Sequence, residues 1–455
     1  MIDSFKLIIQ HHRNRRTKFL TALIIGICFL SARLRGQDRP DTLVVNSLSE
    51  VIDKALKNNP TITVYRQQVL QARYNLNTAK GFIYPTVSGS FNGQDNLHLA
   101  VTPVPGELIG KPGTTFYAQF GKTYVYNSGL NFQENVLNWT SFLQAKVAEG
   151  NYQLSKAQQD SYNQNLREQV ARLYFTALIA KKSLQIAQLD KNIADTMVTL
   201  AKQKLDQGAS DIITYNQALI NYNSVLQNIA LDQQLYDQSV ENLKITLGEK
   251  PATELNFKQQ LNTDTIPQFG SLNLAADKNL QNYQQQLFVA ALQARSQRSV
   301  SLPSLSFNGY YGAQQFRNDF GLSFDNRAWS PYRYIGLNIS VPVFTGLYNY
   351  NKYRSAVTQR DIAKTQYEAA VTQSAINDRL LLKSNADYTA NVRASGDNFR
   401  LYFKNLTVNQ QKFTEGVISL DVYLKSFDDY LKSENIHLNN LSTLLSNQAT
   451  ILSRQ

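Results

Sequence analysis

Residues 166–205 read LREQVARLYFTALIAKKSLQIAQLDKNIADTMVTLAKQKL. Counting on from Leu166 in alternating steps of four and three gives Val170, Leu173, Ala177, Ala180, Leu184, Ala187, Lys191, Ala194, Val198, Ala201 and Leu205. All but Lys191 are apolar, which is the seam of a heptad, so a helix packed lengthwise against other helices is predicted. Outward from this stretch, Asn138 to Gln207 contains no proline and Gly150 as its one glycine. A helix over that whole span would run roughly 105 Å at ~1.5 Å per residue. Such a rod cannot be buried in one small globule, and its alanine-rich seam permits close helix approach.

The segments that follow repeat the spacing. Leu219, Tyr222, Leu226, Ile229, Gln233, Tyr236, Val240, Leu243 and Leu247 form one seam, and Leu420, Leu424, Phe427, Leu431, Glu434, Leu438, Leu441 and Leu445 another. Gly208 and Gly416 each stand where a long seam ends and a new one begins, the place for a left-handed cap and a reversal of direction. They read either as plain caps on antiparallel coiled coils or as two tips at the same end of a rod, presented to a partner.

The chain is two copies of one unit. Tyr65, Gln67, Gln68, Ala72 and Pro85 recur as Tyr283, Gln285, Gln286, Ala290 and Pro303. Gly129-Leu130-Asn131 recurs as Gly336-Leu337-Asn338, and Lys204, Gly208, Tyr215 as Lys412, Gly416, Tyr423. Each copy is predicted to run helix, two strands, long helix, helix. Leu48 to Tyr84 reads as one helix, capped by Ser47 or Ser49 and broken at Pro85. In the strands, Ile335, Leu337, Ile339, Val341 and Val343 fall on one face, with Gly336, Asn338 and Ser340 on the other. Pro103, Pro105, Gly106, Gly110, Pro112 and Gly113 mark a loop between the first two strands, and Asn318 to Pro331 marks its counterpart.

Of 455 residues, 43% are apolar and 18% charged, with 25 Tyr and 22 Phe, a composition too apolar and aromatic for a disordered chain. One cysteine, Cys28, and four histidines leave no room for a Cys₄ or Cys₂His₂ zinc site or a disulfide framework. The net charge of +12 falls to +6 once the first 36 residues are set aside, and the remaining basic residues are scattered, so no nucleic-acid partner is expected. Those 36 residues have the parts of an export signal: basic through Lys18, apolar from Phe19 to Leu30, polar to Gly36. Twelve residues are too few to span a bilayer. A cleaved signal peptide with the mature chain starting near Gln37 is expected, without lipidation of Cys28, which follows the bulky Ile27.

Several motifs, in order, resemble the TolC family of outer-membrane efflux channels. They are Ser47-Leu-Ser-Glu50 through Ala55-Leu-Lys-Asn-Asn-Pro60, the Tyr84-Pro85 helix end, Ser340-Val-Pro-Val-Phe-Thr-Gly346 with Arg354 after it, and the turns Gln207-Gly208 and Glu415-Gly416. The likeness covers nearly all of residues 43 to 450. The resemblance implies a mainly α fold with a membrane β-barrel contribution: a homotrimer in which each subunit gives four strands to a 12-stranded barrel and its helices to a periplasmic tunnel. It also implies docking, with Gly208 and Gly416 as the tips, to a periplasmic adaptor that links the channel to an inner-membrane pump. In the family the second hairpin often carries acids at the periplasmic entrance. Asp421 and Asp428 are the candidates here, although Lys425 stands four residues from Asp421 and a solvated surface pair is the plainer reading.

The residues support that architecture separately. No segment other than the first approaches eighteen apolar residues, so entry into outer-membrane lipid would be by strands, and four strands cannot close a barrel without partners. Phe116, Tyr117, Tyr124, Tyr126, Tyr310, Tyr311, Trp329, Tyr332 and Tyr334 are candidates for interfacial girdles, or for packing in a soluble β-domain. The expected divisions are a signal peptide (1–36), an extension and first helical segment (37–85), a strand pair (86–137), a long hairpin (138–250), a linker (251–275), the second-copy helix (276–302), a strand pair (303–344) and a second hairpin (345–455). His98 and His437 have no carboxylate pair or nucleophile motif near them, and no phosphate-binding loop ends in Gly-Lys-Ser/Thr, so neither catalysis nor a cofactor is expected. The alternative function is a soluble periplasmic coiled-coil adaptor or scaffold. The transported substrate is not written in the chain, though Met197 as the one methionine after Met1 argues against a methionine-lined copper path.

Overall fold

A computed structural model describes residues 42–261 and 276–455. The export-signal reading lies outside the described residues. In chain order the elements are β1 (Thr42–Val45), α1 (Leu48–Asn58), α2 (Pro60–Lys80), β2 (Thr86–Asp95), β3 (Val101–Pro105), β4 (Thr115–Gln119), β5 (Tyr124–Leu137), α3 (Trp139–Asp206), α4 (Ile212–Leu247), β6 (Glu254–Phe257), α5 (Lys278–Ser299), β7 (Ser304–Arg317), β8 (Ser330–Ser340), α6 (Tyr348–Thr414) and α7 (Leu420–Ser453).

The helix predicted over Leu48–Tyr84 is two helices. Pro60 cannot donate to the turn before it but is well placed as the first residue of a new helix. Asn59 makes the joint: its side-chain oxygen accepts from the Thr61 and Ile62 N–H groups, and its amide donates to the Thr246 carbonyl at 2.7 Å. The break thereby ties the first copy's opening helices to the end of α4.

The repeat appears in the sheet. Strands β2, β5, β7 and β8 form one antiparallel sheet in that order, two hairpins side by side, with β2 and β8 as free edges. The stretch between β2 and β5, expected as a loop, contains a second hairpin, β3 with β4. Its prolines, Pro103 and Pro105, fit because a two-stranded ribbon has only outer edges. A third pairing joins β1 in parallel to β6, so segments read as extension and linker meet on the flank of α3.

The long helices pack as two hairpins, α3 with α4 and α6 with α7, and α3 also contacts α7 and α5. Two apolar clusters lie along them. One gathers Val51, Ala55, Val170, Tyr174, Leu243, Phe257, Leu441 and Leu445; the other, nearer the turns, gathers Met197, Ala218, Leu424 and Phe427. The seam read in α7 is buried at all eight positions. In the lower seam of α3, Ala187, Ala194 and Ala201 are buried as expected, while at the two positions between them Asp190 and Met197 are buried in place of Lys191 and Val198. Alanine fixes helix phase weakly, so Asp190 and Met197 turn inward while Lys191 and Val198 stay half-buried.

Candidate functional site

Both tips are built alike. Gly208 has φ +69° and Gly416 φ +73°. Gly208 N–H donates to the Leu205 carbonyl (2.9 Å) and Ala209 N–H to Lys204 (2.8 Å); Gly416 donates to Phe413 (3.0 Å) and Val417 to Lys412 (2.8 Å). These paired bonds close the last turns of α3 and α6 and reverse the chain. A Cβ at either glycine would meet open space, so glycine serves backbone conformation there rather than packing.

Past the first turn, Asp211 caps α4 by accepting from Thr214 N–H at 2.8 Å, and this bond holds its carboxyl below the usual carboxylate range. Thr214 Oγ1 donates in turn to Asp421 Oδ1 at 2.5 Å, which joins the two tips. Asp421 therefore faces the other hairpin, while Lys425 pairs with Asp429 (3.6 Å) rather than with Asp421. Asp428 holds Lys432 Nζ at 2.5 Å one turn further on.

The four-stranded sheet has two unlike faces. Register places Val87, Phe91, Leu130, Phe132, Phe307, Tyr311, Ile335 and Leu337 on one face. That face is open, with Ile335 80% and Leu337 70% exposed. The opposite face carries Ser88, Ser90, Asn92, Asn131, Asn308 and Asn338. Asn131 Nδ2 donates to Ser90 Oγ across it at 2.8 Å. Tyr310, Tyr332 and Tyr334 lie on this polar face with ring centroids 5.6 to 6.1 Å apart, so they are not part of a girdle on the apolar one. Tyr310 covers a floor of glycine: a Cβ on Gly129 would come within 2.7 Å of its ring, and one on Gly312 within 2.8 Å.

Residues 51–249 match the family model described as outer membrane efflux protein. The match takes in the first copy's helices and strands and covers less than half of the chain. Outer membrane protein TolC of Vibrio cholerae serotype O1 is 24% identical over 287 residues, which are 61% of this chain. The match spans 62% of that relative, less than two thirds of its length. Among solved structures, CusC superposes with a TM-score of 0.74 at 17% identity over 92% of this chain and 95% of that chain. The MtrE outer membrane channel of Neisseria gonorrhoeae gives 0.74 at 17% identity over 90% and 88%. VceC of Vibrio cholerae gives 0.73 at 16% over 89% and 95%. The shared fold thus extends through the second copy, beyond the residues of the family match. Among the described residues no helix is long and apolar enough to cross a membrane, a statement that leaves the sheet untouched.

Sequence reasoning missed a buried polar layer. Asp190 on α3 and Glu434 on α7 are 2% and 7% exposed; their carboxyl groups hydrogen-bond to one another, and Asp190 also bonds to the Tyr430 hydroxyl. Burial pushes Asp190 up to about 6, and burial with the Asp190 charge pushes Glu434 up to about 9. On α4, Asp232 accepts from Ser183 Oγ at 2.5 Å and is also raised by burial. A polar residue within a leucine seam, as Glu434 is, was the one available signal.

Proposed function

We propose that this protein is one subunit of a homotrimeric export duct in the outer membrane, passively conducting solutes delivered by an inner-membrane pump through a periplasmic adaptor. The observation that carries this reading is the open-edged, two-faced sheet joined directly to helices of 68 and 67 residues. A sheet with one exposed apolar face and one amide-and-hydroxyl face suits lipid on one side and a water-filled lumen on the other. Its free edges, β2 and β8, require neighbours, because unpaired backbone groups in lipid are costly. Three copies would close twelve strands, as the family resemblance implies.

The helices then reach into the periplasm, and the turns at Gly208 and Gly416 form the mouth and the adaptor-docking surface. Asp421, at the tip and facing Thr214, is the stronger candidate for an acid at the entrance; Asp428 is neutralised by Lys432. The reading as a soluble periplasmic adaptor is not favoured, since it leaves the apolar sheet face in water. A passive conduit makes few substrate contacts, so selection would rest with the pump. Membrane fractionation with gels run before and after heating tests the reading: the protein should sediment with outer membranes and migrate as a trimer until heated. Recovery as a soluble periplasmic monomer would contradict it.

A further inference from the structure

Arg333 stands on the apolar face of β8, opposite Tyr311 of β7. Its guanidinium lies over the Tyr311 ring, 4.4 Å from the centroid, and among the described residues it has no carboxylate partner. The rows below it on the same face, towards the helices, are Gly309 with Ile335, Phe307 with Leu337, and Leu305 with Ile339. From Leu305 to Ala313 the strand rises roughly 26 Å at ~3.3 Å per residue, or about 20 Å of depth at a tilt of about 40°, most of a lipid-facing band of ~25 Å. Beyond Arg333 on this face only the Ala313–Pro331 row precedes the polar Gln315. Arg333 therefore sits near the band's boundary on the side away from the helices. A cation there is tolerated because its head can reach the interface, whereas one at mid-depth is not.

Directly beneath, the absence of a side chain at Gly309 leaves an apolar cleft of about 630 Å³, bordered by Leu130, Phe132, Phe307, Tyr311, Arg333 and Ile335. A stacked, unpaired arginine at one end of an apolar cleft has the shape and polarity of a site for an amphiphile. On the reading of the sheet as an outer-membrane barrel, we propose that this cleft binds a phosphorylated lipid of the outer leaflet, with the phosphate on Arg333 and an acyl chain along Phe132, Phe307 and Ile335. Guanidinium suits phosphate because it offers paired donors in one plane, and the Tyr311 ring fixes that plane.

The test uses purified full-length trimers in nanodiscs of neutral phosphatidylcholine, with diphosphorylated lipid A, its dephosphorylated form, or inorganic phosphate added. The unfolding temperature should rise with the diphosphorylated lipid and not with the other two. Arg333→Gln should abolish the rise, Arg333→Lys should keep only part of it, and Gly309→Leu should reduce it by filling the cleft with the charge intact. An equal rise in the wild type and Arg333→Gln, or an equal rise with the dephosphorylated lipid, would overturn the proposal. A rise with inorganic phosphate alone would also overturn it, since the chain would then contribute nothing. Failure to form trimers at all would instead overturn the barrel reading, and this proposal with it.

Discussion

Asp190 and Glu434, from different copies of the repeat, share a hydrogen bond at a level between the two apolar clusters of the helical bundle. The contact joins α3 to α7, so it fixes how one hairpin sits along the other. Burial raises both carboxyls, Glu434 further because the Asp190 charge stands beside it, and the Tyr430 hydroxyl bonds to Asp190. A buried polar contact of this kind discriminates against slipped registers, because any slip would leave both groups without partners.

Both folded-state values lie above those of the unfolded chain, so the folded protein binds more protons and loses stability as pH rises. The loss should begin above the ordinary carboxylate range and continue to about pH 9, the value for Glu434. Glu434→Gln retains a donor to Asp190 and removes the titration. Thermal unfolding followed by circular dichroism should therefore show the melting temperature falling from about pH 5 to about pH 9 in the wild type and a flatter profile in Glu434→Gln. Parallel profiles would contradict the raised Glu434 carboxyl.

Gly416→Val and Gly208→Val test the tips. With open space around either Cβ, the cost is backbone strain alone, of order 1 to 3 kcal/mol, and it stays local to the turn. Trimers should still reach the outer membrane, while export and adaptor crosslinking fall together. Full export and full crosslinking in both variants would show that the turns are not the docking surface.

The Thr214–Asp421 bond is the tie between the hairpins nearest the tips, with Asn221 Nδ2 donating to the Leu424 carbonyl at 3.3 Å further along. Thr214→Val keeps the shape and removes the donor, a loss of about 1.5 to 3 kcal/mol for a bond to a charged group. In planar bilayers its conductance should exceed that of the wild type as the tips separate. Unchanged conductance would mean the tie does not restrain the mouth.

Gly312 is fixed by space rather than by φ. A Cβ there would lie 2.4 Å from the Ser128 carbonyl, so Gly312→Val must force β5 and β7 apart. The yield of heat-sensitive trimer should drop sharply, whereas Ala313→Val, on the apolar face, should leave it near wild type.

The legible parts were those written in large or paired residues. Leucine and phenylalanine in α7 set the helix phase without ambiguity, and the glycines of the two tips announced themselves by repeating. Alanine in α3 did not settle the phase, and in α4 the buried residues near the tip are Ala218, Asn221 and Val225, each one place before the position expected. Asp190 reads in sequence as surface charge, since burial of a carboxylate depends on a partner more than two hundred residues away. The pairing of β1 with β6 was likewise hidden, because two short strands have no periodicity to show. Arg333 lies just outside the alternation that begins at Ile335, and its place on the apolar face follows only from register with Tyr311.

The orientation of the barrel is the central claim, and cysteine labelling on intact cells measures it. Gly106 is unsuitable as a probe site, since a Cβ there would lie 2.2 Å from Thr114 Oγ1. Leu108, in the same turn and 76% exposed, is suitable, as is Ala209 beside the first tip. With Cys28 replaced by serine, an impermeant thiol reagent should label Leu108→Cys at the cell surface and spare Ala209→Cys until the outer membrane is breached. Equal labelling of both positions on intact cells, or labelling of Ala209→Cys alone, would contradict the account.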